Sequence, residues 1–259
     1  MNLMAGCFKD REELLAAPLA PAVPLTAKPG WTAAQKALAG VYNRLGGLMD
    51  ALAKEAQSDT AAVLALWYVE SGGRAHKPGS AIIRFECNLL YSAWGAKNAA
   101  VYRRYFRHGG FEGASGKPWE NHQFRTAETQ PFRPVHASQA SEYQALELAI
   151  RLAGETPALE AASIGGCQIV VCNYALIGYP SPRAMYDAFQ ADERAHVLGF
   201  FDFCARKSAP KQGDLLRYLQ AKDWTKFAAY YNGAGNAAVY GGRIQTNYEL
   251  ARAILPAGS

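Results

Sequence analysis

From Thr32 to Gln57 apolar residues recur at intervals of three and four (Leu38, Val41, Tyr42, Leu45, Leu48, Met49, Leu52). That is the spacing of one buried helix face, with Gly46-Gly47 as a weak point, and it reads as one helix or as two joined there. Ser58-Asp59 supplies an N-cap for 60–70, a segment apolar all round (Val63, Leu64, Leu66, Trp67, Val69) and so predicted to be a central helix, stopped by Gly72-Gly73. Between 74 and 86, Pro78-Gly79 followed by Ala81-Ile82-Ile83-Arg84-Phe85-Glu86 predicts a turn and one short strand or hairpin. The stretch 108–137 mixes glycines, prolines and single aromatics (Phe111, Trp119, Phe124, Phe132) without a sustained period, and reads as an irregular insertion. Helical patterns return at 138–153, 163–176, 181–206, 211–220, 223–231 and 240–254, with Ser181-Pro182 and Asp223 as helix starts. The fold class expected is mainly α, with a small β-hairpin or short strands.

Ahead of this pattern, Pro18, Pro21, Pro24 and Pro29 stand among alanines over 15–30, a composition that predicts an extended lead-in or linker there; residues 1–30 are thus a Pro/Ala-rich N-terminal extension and 31–259 the folded body. No internal repeat divides the body. Half of the 259 residues are hydrophobic and 19% are charged, which excludes disorder and a long charged coiled coil. The net charge of +5 favours a polyanion without choosing among nucleic acid, anionic lipid and bacterial cell wall. No apolar run approaches the roughly 18 to 20 residues of a membrane span, and Met1 to Glu13 lacks the basic-then-apolar order of a secretory signal. Synthesis without a Sec leader is the expectation.

Five cysteines without a CxxC pair argue for reduced, mostly buried thiols, against both a disulfide framework and a zinc site. His108, His122 and His136 share one segment but form no HExxH or i, i+4 ligand pair. Neither a metal nor another cofactor is expected. Tyr102-Arg103-Arg104-Tyr105-Phe106-Arg107-His108 reads as an amphipathic helix with buried aromatics rather than a nucleic-acid surface, and Asp187 and Asp202 read as surface charges.

The most informative feature is Glu70-Ser71-Gly72-Gly73, which places a carboxyl group at the C-terminal end of an apolar helix, beside glycines that leave room for a ligand. Burial and the negative end of the helix dipole both oppose ionisation, so Glu70 would hold a proton near neutral pH, as a general acid must. The plainer alternative is a solvated helix-end glutamate capped by Gly72.

Two further segments carry a resemblance. Ser163-Ile164-Gly165-Gly166-Cys167-Gln168-Ile169, followed by Asn173-Tyr174, resembles the Ser-x-Gly-x-x-Gln-Ile signature of lysozyme-like muramidases and lytic transglycosylases. Tyr230-Tyr231-Asn232-Gly233-Ala234-Gly235 resembles their Tyr-Asn-Gly or Tyr-Asn-Ala-Gly motif. With Val69-Glu70-Ser71-Gly72-Gly73 in front and Arg84-Phe85-Glu86 next, the order over roughly 60–254 is similar to the N-acetylmuramidase domain of phage endolysins. Departures lie at Ile164, Gly166 and Cys167, where members carry Trp, Leu and Phe, at Val170-Val171, where members carry Met-Gly, and in the segment 95–137.

The resemblance implies a lysozyme-like helical domain with its strands beside an active-site cleft. It implies cleavage of the β-1,4 bond between N-acetylmuramic acid and N-acetylglucosamine in peptidoglycan, with Glu70 as acid. Such cleavage needs a second group to stabilise an oxocarbenium-like centre or activate water. Glu86, sixteen residues on, is the candidate; its alternative is a structural carboxylate bonded to Arg84 or to backbone amides. Ser71, Ser163, Gln168, Tyr231 and Asn232 are the expected substrate contacts. Gln168, Tyr231 and Asn232 suit acetamido and hydroxyl groups, and tyrosine faces stack on sugar rings; as alternatives, Gln168 braces the Glu70 helix and Tyr231 belongs to the core. A lytic transglycosylase with the same glutamate, or a non-catalytic wall-binding component, are the competing functions. The expected partner is the peptidoglycan glycan strand, met by a monomer that binds neither nucleic acid nor membrane. Its settings would be a phage lysin released through a holin, or an injected effector with an immunity protein and an injection apparatus as partners.

Overall fold

The computed structural model describes residues 8–74, 76, 77 and 79–256; Cys7, Pro78 and the opening residues read for a leader lie outside the described residues. The chain divides into two compact units, one built from the residues up to 75 and from 193 onward, the other from 76–192.

The first unit opens with a 3-10 turn at Phe8–Asp10, then α1 (Glu12–Ala16), α2 (Ala33–Glu55) and α3 (Thr60–Ser71). The second unit contains β1 (Ile83–Phe85), α4 (Cys87–Ala93), α5 (Ala99–Tyr105), β2 (Phe106–Arg107), β3 (Gln123–Phe124), β4 (Arg133–Pro134), α6 (Gln139–Ala153), α7 (Glu155–Glu160), β5 (Ala162–Ile164), β6 (Ile169–Val170) and α8 (Pro182–Ala191). The first unit resumes with α9 (Glu193–Arg206), α10 (Asp214–Ala221), α11 (Trp224–Tyr231) and α12 (Ala237–Ile254). The fold is mainly α with short strands, as the apolar pattern predicts, and no helix among the described residues is long and apolar enough to cross a membrane.

In the first unit α3 is the central helix. Asp59 caps it by accepting the Ala62 amide at 2.8 Å, and every residue from Thr60 to Trp67 is buried. The helix lies against α2 and α12, and the Trp67 ring meets Phe200 of α9 edge-on at 6.2 Å. Gly72 ends it in the left-handed conformation at φ 63°, which glycine adopts without strain. Of the two readings of this stretch, the single helix holds: α2 runs unbroken through Gly46-Gly47. Gly47 is there for close approach: a Cβ on it would lie 2.4 Å from the Ala20 carbonyl oxygen and 2.5 Å from that of Pro18.

That contact is one of several by which residues 8–20 of the N-terminal extension pack into the first unit. Phe8 and Leu14 are buried, and the Phe8 and Lys9 amides donate to Asp202 at 2.5 and 3.1 Å. Asp202, read as a surface charge, is fully buried on α9. Burial pushes its carboxyl up to about 7, against the pull of the two amides.

The second unit holds two three-stranded antiparallel sheets. One is ordered β1-β5-β6, with Ile83 opposite Ile164 and Ser163 opposite Val170; the other is β2-β3-β4, with Phe106 opposite Phe124. The outer edge of β1 is satisfied by side chains of α6: Gln139 bonds both the amide and the carbonyl of Ile83 at 2.9 Å, and Glu142 accepts the Phe85 amide at 2.7 Å.

Three further expectations fail here or at the join between units. The segment 163–176 is not a helix; it forms the end of β5, β6 and a 3-10 turn at Val171–Asn173. Gly165 at φ 85° and Gln168 at φ 50° turn the chain there instead of coiling it. The pattern over 181–206 is broken by Asp192, which is extended (φ −146°, ψ 131°) between α8 and α9. The basic stretch ends as helix at Tyr105 and continues as β2. Tyr102 and Phe106 are buried, while Arg103 pairs with Glu112, Arg104 with Glu128, and Arg107 lies 3.9 Å over the Phe132 ring. Of the cysteines, Cys87 and Cys204 are buried as expected and Cys172 is exposed.

Candidate active site

Glu70 occupies the last turn of α3, and the elements that fix it are those that make α3 a buried helix with a glycine stop. One oxygen, Oε2, accepts from Asn232 Nδ2 at 3.2 Å; the other, Oε1, is buried with no hydrogen-bond partner among the described residues. Burial raises the Glu70 carboxyl from 4.5 to about 7, and the Asn232 hydrogen bond pulls the other way. The solvated helix-end alternative does not describe this group.

This single bond defines where the proton sits. Asn232 Nδ2 can only donate, so Oε2 is the accepting oxygen and the acidic proton belongs on Oε1. Asn232 follows α11 and is itself held by its amide, which donates to the Ala228 carbonyl at 2.8 Å. Once the proton leaves, Asn232 stabilises the carboxylate that remains. We therefore expect Asn232→Ala to lower the maximal rate of wall cleavage by about 10- to 100-fold, the worth of one hydrogen bond to a charged group. The alkaline limb of the pH–rate profile should also move to higher pH; a profile unchanged in height and position would remove Asn232 from this role.

Tyr231, next in the motif, is half-buried among rings of its own unit: Phe200 at 5.4 Å, Phe203 at 6.0 Å, and Phe227 stacked at 5.6 Å. That box suits its core alternative. Ser71 is buried, with its hydroxyl donating to the Trp67 carbonyl at 2.6 Å and accepting the Gly73 amide at 3.1 Å. It finishes the helix end.

The remaining expected residues lie in the second unit. Ser163 is buried in the middle strand of its sheet, between Arg84 and Val170, which argues for packing over substrate contact. Gln168 does brace, but at the β5-β6 turn: its Nε2 donates to Ile82 O at 3.1 Å and Gly165 O at 2.7 Å. Glu86 precedes α4, with Oε1 accepting from Arg84 Nε at 2.6 Å and Oε2 lying 3.1 Å from His122 Nδ1. Burial by itself would raise its pKa, but the His122 and Arg84 contacts together hold it below the ordinary glutamate value. The Arg84 bond matches the structural alternative for Glu86. Glu70 and Asn232 are thus brought together, whereas the partnership of Asn232 with the acid was not foreseen; their shared place in the family motifs was the available signal.

A family model described as Muramidase, N-acetylmuramidase, matches residues 59–252. No curated protein matches the chain. Among solved structures the chain is similar to the crystal structure of a Burkholderia AP3 phage endolysin, with 25% identity and a TM-score of 0.58, over 88% of this chain and 74% of that one. The span matched by the family model contains Glu70 and Asn232 together with all the helices from α3 to α11, and the structural likeness supports the lysozyme-like, mainly α fold that the motifs implied. With three quarters of its length covered by one family of peptidoglycan-cleaving enzymes, the chain belongs to the N-acetylmuramidases.

Proposed function

We propose that this protein hydrolyses the β-1,4 bond between N-acetylmuramic acid and N-acetylglucosamine, with Glu70 as the general acid. The observation that carries the reading is the Glu70 carboxyl itself, poised at about 7 by burial, with one oxygen held by Asn232 and the other unpartnered. A protonated Oε1 would donate to the glycosidic oxygen as the bond to the sugar C1 lengthens. The electron pair leaves with that oxygen, and positive charge develops on the ring. Asn232 stabilises the carboxylate formed, and water adds to the cationic carbon to give a reducing end, releasing a proton that restores the Glu70 acid. Glu86, engaged by Arg84 and His122, is assigned no step in this sequence.

Purified sacculi digested with the protein, followed by mass spectrometry of the released muropeptides, test the proposal. Hydrolysis gives reducing muramic acid ends. A 1,6-anhydro end would show that the muramic 6-hydroxyl attacks in place of water, as in a lytic transglycosylase. Wall binding without release would show a non-catalytic component. A role as a phage lysin accords with the endolysin found among its structural likenesses.

A further inference from the structure

The second unit contains a cluster that the proposed chemistry does not use. Glu86, His122 and His136 each direct one ligand atom into a common space, and these atoms lie within 4.8 Å of one another. Glu86 Oε2 is 3.1 Å from His122 Nδ1, which is 3.2 Å from His136 Nε2. The far side of each group is already fixed. His122 Nε2 lies 3.0 Å from the Pro118 carbonyl oxygen, which can only accept, so that nitrogen carries the proton. His136 Nδ1 lies 2.8 Å from Glu142 Oε1, whose other oxygen accepts the Phe85 amide, so Nδ1 is also the donor. Arg84 occupies the remaining Glu86 oxygen. Without metal a proton on His122 Nδ1 bridges to Glu86; with that proton displaced, two imidazole lone pairs and a carboxylate oxygen face one another in a largely buried place. Such an arrangement repels itself unless a cation lies among the three.

We propose that Glu86, His122 and His136 form a binding site for one divalent transition-metal ion of the zinc class. Two imidazoles and one carboxylate are a donor set that zinc accepts, with bonds of about 2.0–2.2 Å. Tetrahedral ligands at that distance stand about 3.3 Å apart, close to the two separations found here. Each histidine also hands its other N–H to a carbonyl or carboxylate, the arrangement that orients metal-binding imidazoles and raises their basicity. The ligands come from the start of α4, from the residue before β3 and from the turn after β4. Bound metal would therefore pin the middle and the far end of the irregular segment 108–137 to the residue that follows β1. The His136 side chain is a quarter exposed, which gives water and the ion a way in.

Tag-free full-length protein, stripped with a chelator and dialysed, would be titrated with Zn²⁺ and with Co²⁺. One equivalent of metal per chain is expected by elemental analysis. Free Zn²⁺ at 100 times its Kd should raise the folded-to-unfolded ratio about 100-fold, read as a higher Tm. Co²⁺ should show visible bands of a nitrogen and oxygen site. His136→Gln should lose the equivalent and the Tm response, while Glu70→Gln keeps both. A wild-type Tm indifferent to Zn²⁺ would overturn the proposal, and that measurement does not depend on how the variant folds. Equal uptake by wild type and His136→Gln, or a sulfur-to-cobalt charge-transfer band indicating a cysteine ligand, would overturn it as well.

Discussion

Glu70→Gln should lose at least about a hundredfold in the rate of sacculus cleavage, the usual share of general acid catalysis. The substitution keeps the shape of the side chain, and a glutamine oxygen still accepts from Asn232 Nδ2, so the surroundings of the helix end are retained. What disappears is the proton on the unpartnered side of the carboxyl group. Turbidity of a sacculus suspension, followed at equal concentrations of folded protein, reads the loss directly. In the wild type the same measurement across pH should decline above about 7, where the carboxyl gives up its proton. A glutamine variant that clears sacculi at near wild-type rate would move the acid elsewhere in the molecule.

The same variant should be more stable than the wild type at pH 8, by up to about 3 kcal/mol, taking a shift from 4.5 to about 7 at roughly 1.4 kcal/mol per pH unit. The sign follows from where protons bind. Folded Glu70 keeps its proton until about pH 7, while the unfolded chain releases it near 4.5, so the folded state binds more protons in that window. Stability from this group is full below about 4.5, declines as pH rises to about 7, and is flat above. At pH 8 the wild type holds a buried carboxylate with one hydrogen bond, and the glutamine removes that charge. A gain in Tm on the order of 5–10 °C at pH 8 is expected, shrinking toward zero near pH 4.5. Asp202, raised to about 7 by burial, has the same sign and is present in both proteins, so the comparison cancels it. Equal melting temperatures at pH 8 would show that Glu70 is better solvated than its burial indicates.

What could be read from the sequence, and what could not, divides along the distance over which the cause acts. The acid was legible because everything that makes it an acid lies within a dozen residues: the Asp59 cap, the apolar run and the glycine stop. The motif at 230–235 was legible as a motif, yet the bond from Asn232 to a carboxylate 162 residues earlier has no local trace. Asp202 fails for the same reason, since the amides that receive it lie 194 and 193 residues away. The segment 163–176 carries helix-like apolar spacing, but two adjacent glycines and the pairing of β5 with β1 outweigh that periodicity. His122 and His136 stand 14 residues apart in a stretch without period, and the pairing of β3 with β4 brings their ring nitrogens within 3.2 Å.

The tie between Asp202 and the amides of Phe8 and Lys9 bears on how the molecule can be cut and joined. A reader of the composition would start a minimal fragment at Trp31, after the prolines. Such a fragment would leave a fully buried carboxylate without its two amide donors, and would uncover the faces on which Phe8 and Leu14 sit. Fusions, affinity handles and display formats are better attached ahead of Phe8, where they leave the clasp closed.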